Sequence, residues 1–134
     1  MTIQNKKTNI REELGRAREC LRSAELLHSH GQTADAVSRL YYYVFHAVRA
    51  LLLSEGLEPK TNGGTVRLLG LHFVKPRILD SKSSHVFSKL MKYREEADYN
   101  PSYVFTSEDY KGFKEEAVRL HNVIIKFLKK EKLV

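Results

Sequence analysis

Apolar residues recur along the chain at spacings of three and four, the mark of helices with one buried face. Ile10, Leu14, Ala17, Leu21, Ala24 and Leu27 form the first such row. Asn9 stands just before it and can cap a helix that starts near Ile10. Gly31 suits the stop, because a left-handed residue after a helix costs glycine little. Thr33 can cap a second helix, which carries Val37, Leu40, Tyr41, Val44, Val48, Leu51 and Leu52 on one side and ends at Gly56 and Pro59. Residues 56–65 (GLEPKTNGGT) gather Gly, Pro and Asn and read as a loop. A short helical piece is predicted from Thr65 to Phe73, broken before Pro76. Ser83 or Ser84 opens a helix with Phe87, Leu90, Met91 and Ala97 inward, and Pro101 closes the loop after it. Thr106 and Asp109 fit a capping box ahead of a last helix with Phe113, Ala117, Leu120, Ile124, Phe127 and Leu128. No alternating strand pattern competes. The prediction is an all-α fold: an up-down four-helix bundle with a short fifth helix. It forms one domain over residues 1–134, with flexible ends at 1–8 and 131–134.

Composition narrows the class. No run of the 134 residues approaches the ~18 apolar positions of a membrane span. The first residues, MTIQNKKTN, lack the apolar centre of a secretory signal. The single cysteine, Cys20, can form neither an internal disulfide nor a cysteine-based zinc site. The cytoplasm is the expected compartment. Charge adds one unusual feature, a net +7 that is unevenly spread. Residues 60–94 hold eight basic side chains and one acidic, Asp80, whereas residues 1–59 are nearly neutral and 95–121 are acidic. Such an excess attracts phosphate-bearing partners through a salt-sensitive field, or else is a well-solvated surface.

Residues 38–53 (SRLYYYVFHAVRALLL) carry the most chemistry. On a helical projection Tyr42, Tyr43, His46 and Arg49 all fall within about 80° of Arg39, opposite the apolar side. Arg39 and His46 stand seven residues apart, roughly 10 Å along the axis, with Tyr42 between them. An imidazole can move protons near neutral pH, and a guanidinium can stabilise charge growing on phosphorus. Tyrosines beside them can stack a base. The plainer reading makes the same residues an interface, with Arg39 and His46 bonded around the tyrosines.

This helix resembles the SRxYYxxFHAxxALL helix of small stand-alone HEPN-domain proteins. Three further segments are similar to that family, in order. Lys60-Thr61-Asn62-Gly63-Gly64-Thr65 resembles its KTHSG turn, Gly70-Leu71-His72-Phe73-Val74-Lys75 its GxHFVK segment, and Arg94-Glu95-Glu96-Ala97-Asp98-Tyr99 its RxxADY motif. The resemblance implies a five-helix domain on a four-helix bundle, a homodimer, and pairing with a minimal nucleotidyltransferase. It further implies an RNA-cleaving toxin of a toxin-antitoxin pair that works without metal. The site would be an Arg and a His with four to six residues between them, assembled across the dimer interface. Arg39 and His46 meet that spacing and would be the catalytic residues, with Tyr42, Tyr43, Arg49 and Arg94 binding substrate. Leu40 follows the Arg where ribonuclease members carry a polar residue, and Asn62 replaces the turn histidine. Those departures frame the alternative, a non-catalytic nucleotide-binding or protein-interaction module.

Other features ask for less. Gly63-Gly64-Thr65 lacks phosphate-loop spacing and reads as a flexible turn. Arg94 and Asp98, four apart, suit a surface ion pair with Tyr99 packed over it. His28 and His30 suit the negative end of the first helix. No His and carboxylate set has zinc spacing, so neither metal nor cofactor is predicted.

Overall fold

A computed structural model describes residues 2–134. The helices are α1 (Ile3–Ser29), α2 (Thr33–Ser54), α3 (Asn62–Leu69), α4 (Ser81–Tyr99) and α5 (Ser107–Lys130), and no strand occurs among the described residues. This is the predicted all-α arrangement, four long helices and a short fifth.

The boundaries differ where capping chemistry was misplaced. α1 starts at Ile3, not near Ile10, because Thr2 Oγ1 accepts the Asn5 N–H at 3.1 Å. Its polar first turns still do work: the Lys6 ammonium donates to the Ser54 carbonyl at the far end of α2 (3.2 Å). Thr33 lies inside α2 as its first residue, and Gln32 before it makes no side-chain cap bond. Thr61, not Thr65, opens α3 by accepting from the Gly64 N–H at 2.9 Å, so Gly63 and Gly64 form the first helical turn rather than a flexible loop. Asp80 caps α4 ahead of Ser83. The Thr106–Asp109 capping box forms as predicted, with both reciprocal bonds present. At the other end of the chain Leu133 is buried.

Gly70–Val74 continues α3 as a π-helical turn, in which the Lys75 N–H reaches back five residues to the Gly70 carbonyl (2.8 Å). The wider turn brings Phe73 fully into the core, edge-on to Phe127 with ring centres 5.8 Å apart.

α2 is the central helix. It packs on α1, α4 and α5 at once, and its buried set runs from Ala36 to Leu53 with few gaps. A helix enclosed on three sides buries far more than a single stripe. No helix is long and apolar enough to cross a membrane among the described residues.

Candidate functional site

A half-buried edge of α2 faces the first half of α1, and one carboxylate joins them. Glu13 Oε2 lies 2.8 Å from His46 Nδ1, and Glu13 Oε1 accepts from Arg49 Nε at 3.1 Å. The Glu13 side chain keeps only 19% of its exposure. Burial pushes its pKa up, but the bonds from His46 and Arg49 and the Arg49 charge outweigh that, and it lies below the usual carboxylate range. An ionised carboxylate can only accept, so Nδ1 carries the hydrogen of the His46 contact. That leaves Nε2 as the nitrogen free to exchange protons with a ligand.

Arg39 has a different partner. Its guanidinium sits 4.7 Å from the Tyr42 ring centre. Tyr42 meets Phe45 edge-on at 6.1 Å, and Phe45 meets His46 edge-on at 5.2 Å. A row of rings thus links Arg39 to His46 along the helix without bringing the two side chains into contact.

The surface is concave at Arg49 and Glu13, and His46 itself lines neither of the two clefts there. A cleft of about 310 Å³ opens between Phe45 and Arg49 on α2 and Glu58, Lys60, Thr61, Asn62 and Thr65 of the turn into α3. A second cleft of about 210 Å³ lies against Asn9, Glu12 and Glu13, and Arg49 and Glu58 line both. Asn62, standing where the histidine of the KTHSG turn was expected, holds this wall by accepting from the Tyr41 hydroxyl at 3.0 Å. Burial pushes the Tyr41 phenol up to about 12, so it stays a neutral donor.

Two predicted ligand-binding residues are placed elsewhere. Tyr43 is 2% exposed and stacks on His121 of α5, ring centres 4.8 Å apart. It left the polar face because α5 covers that side of α2. Arg94 is buried on α4, with its guanidinium 5.3 Å from the Tyr41 ring centre and its Nη1 3.5 Å from Asp98. The predicted ion pair is there, but Tyr99 does not cover it: that ring is 77% exposed, and Tyr41 takes the stacking role.

Glu13 was missed from the sequence. The only signal was its place three residues after Ile10 and four before Ala17, at the margin of the apolar row.

The four segments resembling HEPN proteins fall on α2, the α3 start, the π-helical turn and the end of α4. A profile of the HEPN domain matches residues 10–132. This chain belongs to the HEPN domain family. Among its relatives is the Methanocaldococcus jannaschii protein named "Putative toxin MJ0605", 36% identical over 95 residues, covering 68% of this chain and 71% of the relative. A UPF0332 protein of Thermotoga maritima is 31% identical over 113 residues, 84% of this HEPN chain and 86% of its own length. A second M. jannaschii protein, "Putative toxin MJ0142", is 29% identical over 103 residues, 77% and 70% of the two chains.

Proposed function

We propose that this HEPN protein is a toxin-like ribonuclease that cuts RNA without metal, acts as a homodimer, and works beside a nucleotidyltransferase partner. The observation that carries the reading is the Glu13 clamp on His46 Nδ1. A carboxylate that fixes the tautomer and aims the ring is the arrangement that makes a histidine an effective proton carrier. His46 Nε2 would take the proton of a ribose 2′-hydroxyl. The 2′-oxygen would bond to phosphorus, the P–O5′ bond would break, and the 5′-oxygen would take a proton. The products are a 2′,3′-cyclic phosphate and a 5′-hydroxyl. Arg39, supplied across the dimer interface, and Arg49, already beside the cleft, would stabilise the charge on phosphorus. The names of the two M. jannaschii relatives support a toxin role.

The test is RNA cleavage in chelator with analysis of the ends. Cyclic-phosphate products are expected, and His46→Ala should lower the rate by about 10²–10⁴-fold, the usual worth of general acid-base catalysis. Undiminished cleavage in that variant refutes the site.

One observation favours the alternative, a nucleotide-binding or protein-interaction module. Arg39 is laid on Tyr42 and Arg49 on Glu13, so both guanidinium groups already have a partner within the chain. RNA left intact after long incubation, with nucleotide binding retained, would select it.

A further inference from the structure

Four segments of the chain end in the same turn, and its occupants differ. At Gly31, Gly56, Arg77 and Lys132 the N–H bonds the carbonyl three residues back, while the next N–H bonds the carbonyl five back. All four take the left-handed conformation, with φ of 76°, 74°, 66° and 59°. Glycine fills this position at no steric cost, whereas other residues strain there. The two non-glycine residues are both basic. The negative end of a helix favours a cation nearby, but it does not require one in the left-handed position itself.

Arg77 borders a groove. The loop after the π-helical turn and the last turns of α5 enclose about 470 Å³, and Lys132 follows directly on Lys130 and Glu131 of its wall. Along α5 the lining comes in two rows. Val123 and Phe127, four apart, form an apolar row, and Lys126 and Lys130, also four apart, form a basic row beside it. Ile78 closes the apolar side from the loop, 41% exposed, and Val123 is 39% exposed. Glu131 is the only acidic residue of the lining. None of these residues lines the clefts at Arg49.

We propose that this groove docks an acidic amphipathic helix of a partner protein. The complement of an apolar row beside a basic row is an apolar stripe flanked by carboxylates, and helices present that pattern through their i, i+3 and i+4 positions. Charge complementarity sets the sign, since three basic side chains line the groove against one acid. The aliphatic floor decides against RNA. Single strands are held by stacking bases on open rings, and the one ring here, Phe127, is half-buried and held edge-on by Phe73. A basic residue at Arg77, where glycine would fit better, places a cation in the groove lining at a conformational cost.

The test uses the full-length protein and a labelled helical peptide of about 18 residues, five turns long, with leucines at i, i+3, i+4 and i+7 and glutamates between. Anisotropy should show saturable binding that weakens with salt, and a scrambled peptide of the same composition should bind at least about tenfold more weakly, since the stripe is lost. Arg77→Gly separates binding from folding. It should leave the Tm unchanged or raised while weakening the peptide about fivefold or more, the scale of a charge pair at a partly dry contact. Val123→Asp should weaken it further. Absence of binding, equal binding of the scrambled peptide, or unchanged affinity in Arg77→Gly would overturn the proposal. So would displacement of the peptide by oligouridylate of equal charge, which would make the groove a nucleic-acid surface. Concentration-dependent self-association lost in Val123→Asp would overturn it too, by making the occupant a second copy of the chain.

Discussion

At the scale of single residues, Glu13 ties two helices together. Its carboxylate holds His46 and Arg49 across the α1–α2 contact, so removing it leaves both side chains without their shared partner at a half-buried seam. Glu13→Ala should cost about 1–3 kcal/mol, the range for deleting one partner of such a network, read as a lower denaturant midpoint with an unchanged slope. Glu13→Gln keeps the shape and should still lower any RNA-cleaving rate, because a neutral amide no longer favours the protonated imidazole that the proposed reaction would form. The pH dependence of stability has a clear sign. The folded pKa of Glu13 is lowered, so the unfolded chain binds more protons near pH 4.5, and the carboxylate's contribution is present above that pH and lost as pH falls through the folded value. His121 acts in the same direction higher up. Burial lowers its pKa below 6.5, so the unfolded state takes up a proton first and stability falls as pH drops below 6.5 toward the folded value. Melting at successive pH values should show that decline, and His121→Gln should flatten the part of it nearest pH 6.5. A decline unchanged in the variant would remove His121 as its cause.

At the scale of elements, what the sequence showed and what it hid have separate physical causes. The rows Ile10–Leu27, Val37–Leu52 and Phe113–Leu128 were legible because each long helix buries a stripe with a fixed period. The capping box at Thr106 was legible because its two partners lie three residues apart in the chain. Replacing Thr106 by Ala should cost about 1 kcal/mol, as for other cap removals, measured by thermal or denaturant melting. Starts set by a single hydroxyl or carboxylate were not legible, since Thr2, Thr61 and Asp80 compete with Asn9, Thr65 and Ser83, which offer the same chemistry nearby. Tyr43 was hidden for a tertiary reason. A projection of α2 alone assumes one buried face, and α5 gives it another. Tyr43→Ala should therefore behave as a core truncation, costing about 3–5 kcal/mol, and not as the loss of a substrate contact. Retained stability with impaired RNA cleavage would return Tyr43 to the site. Glu13 was hidden for the same kind of reason: pairing between α1 and α2 cannot be read from a spacing within either one.

At the scale of the whole molecule, the basic excess of residues 60–94 does not form one surface. Lys89 is bound to Glu116 of α5 at 2.8 Å. Arg94 is buried against Tyr41 and Asp98. Arg77 lines the groove beside the end of α5, and Lys60 lines the cleft next to Arg49. Charges close in sequence thus have different work, and reversing them one at a time should give different results. Lys89→Glu places two carboxylates together and should lower stability while leaving the response of RNA cleavage to salt as it was. Lys60 shares its cleft with Arg49, so on the proposed function Lys60→Glu should act on RNA. It should raise KM, leave kcat at saturating RNA nearly unchanged, and reduce the slope of log affinity against log salt by about 0.7, the value for one phosphate contact on a single strand. Initial rates across a salt series for the two variants measure this directly. If Lys60→Glu instead lowers kcat with KM unchanged, the turn before α3 belongs to the chemistry rather than to substrate capture. If neither variant alters the salt slope, the cleft lined by Lys60 and Arg49 is not where RNA lies.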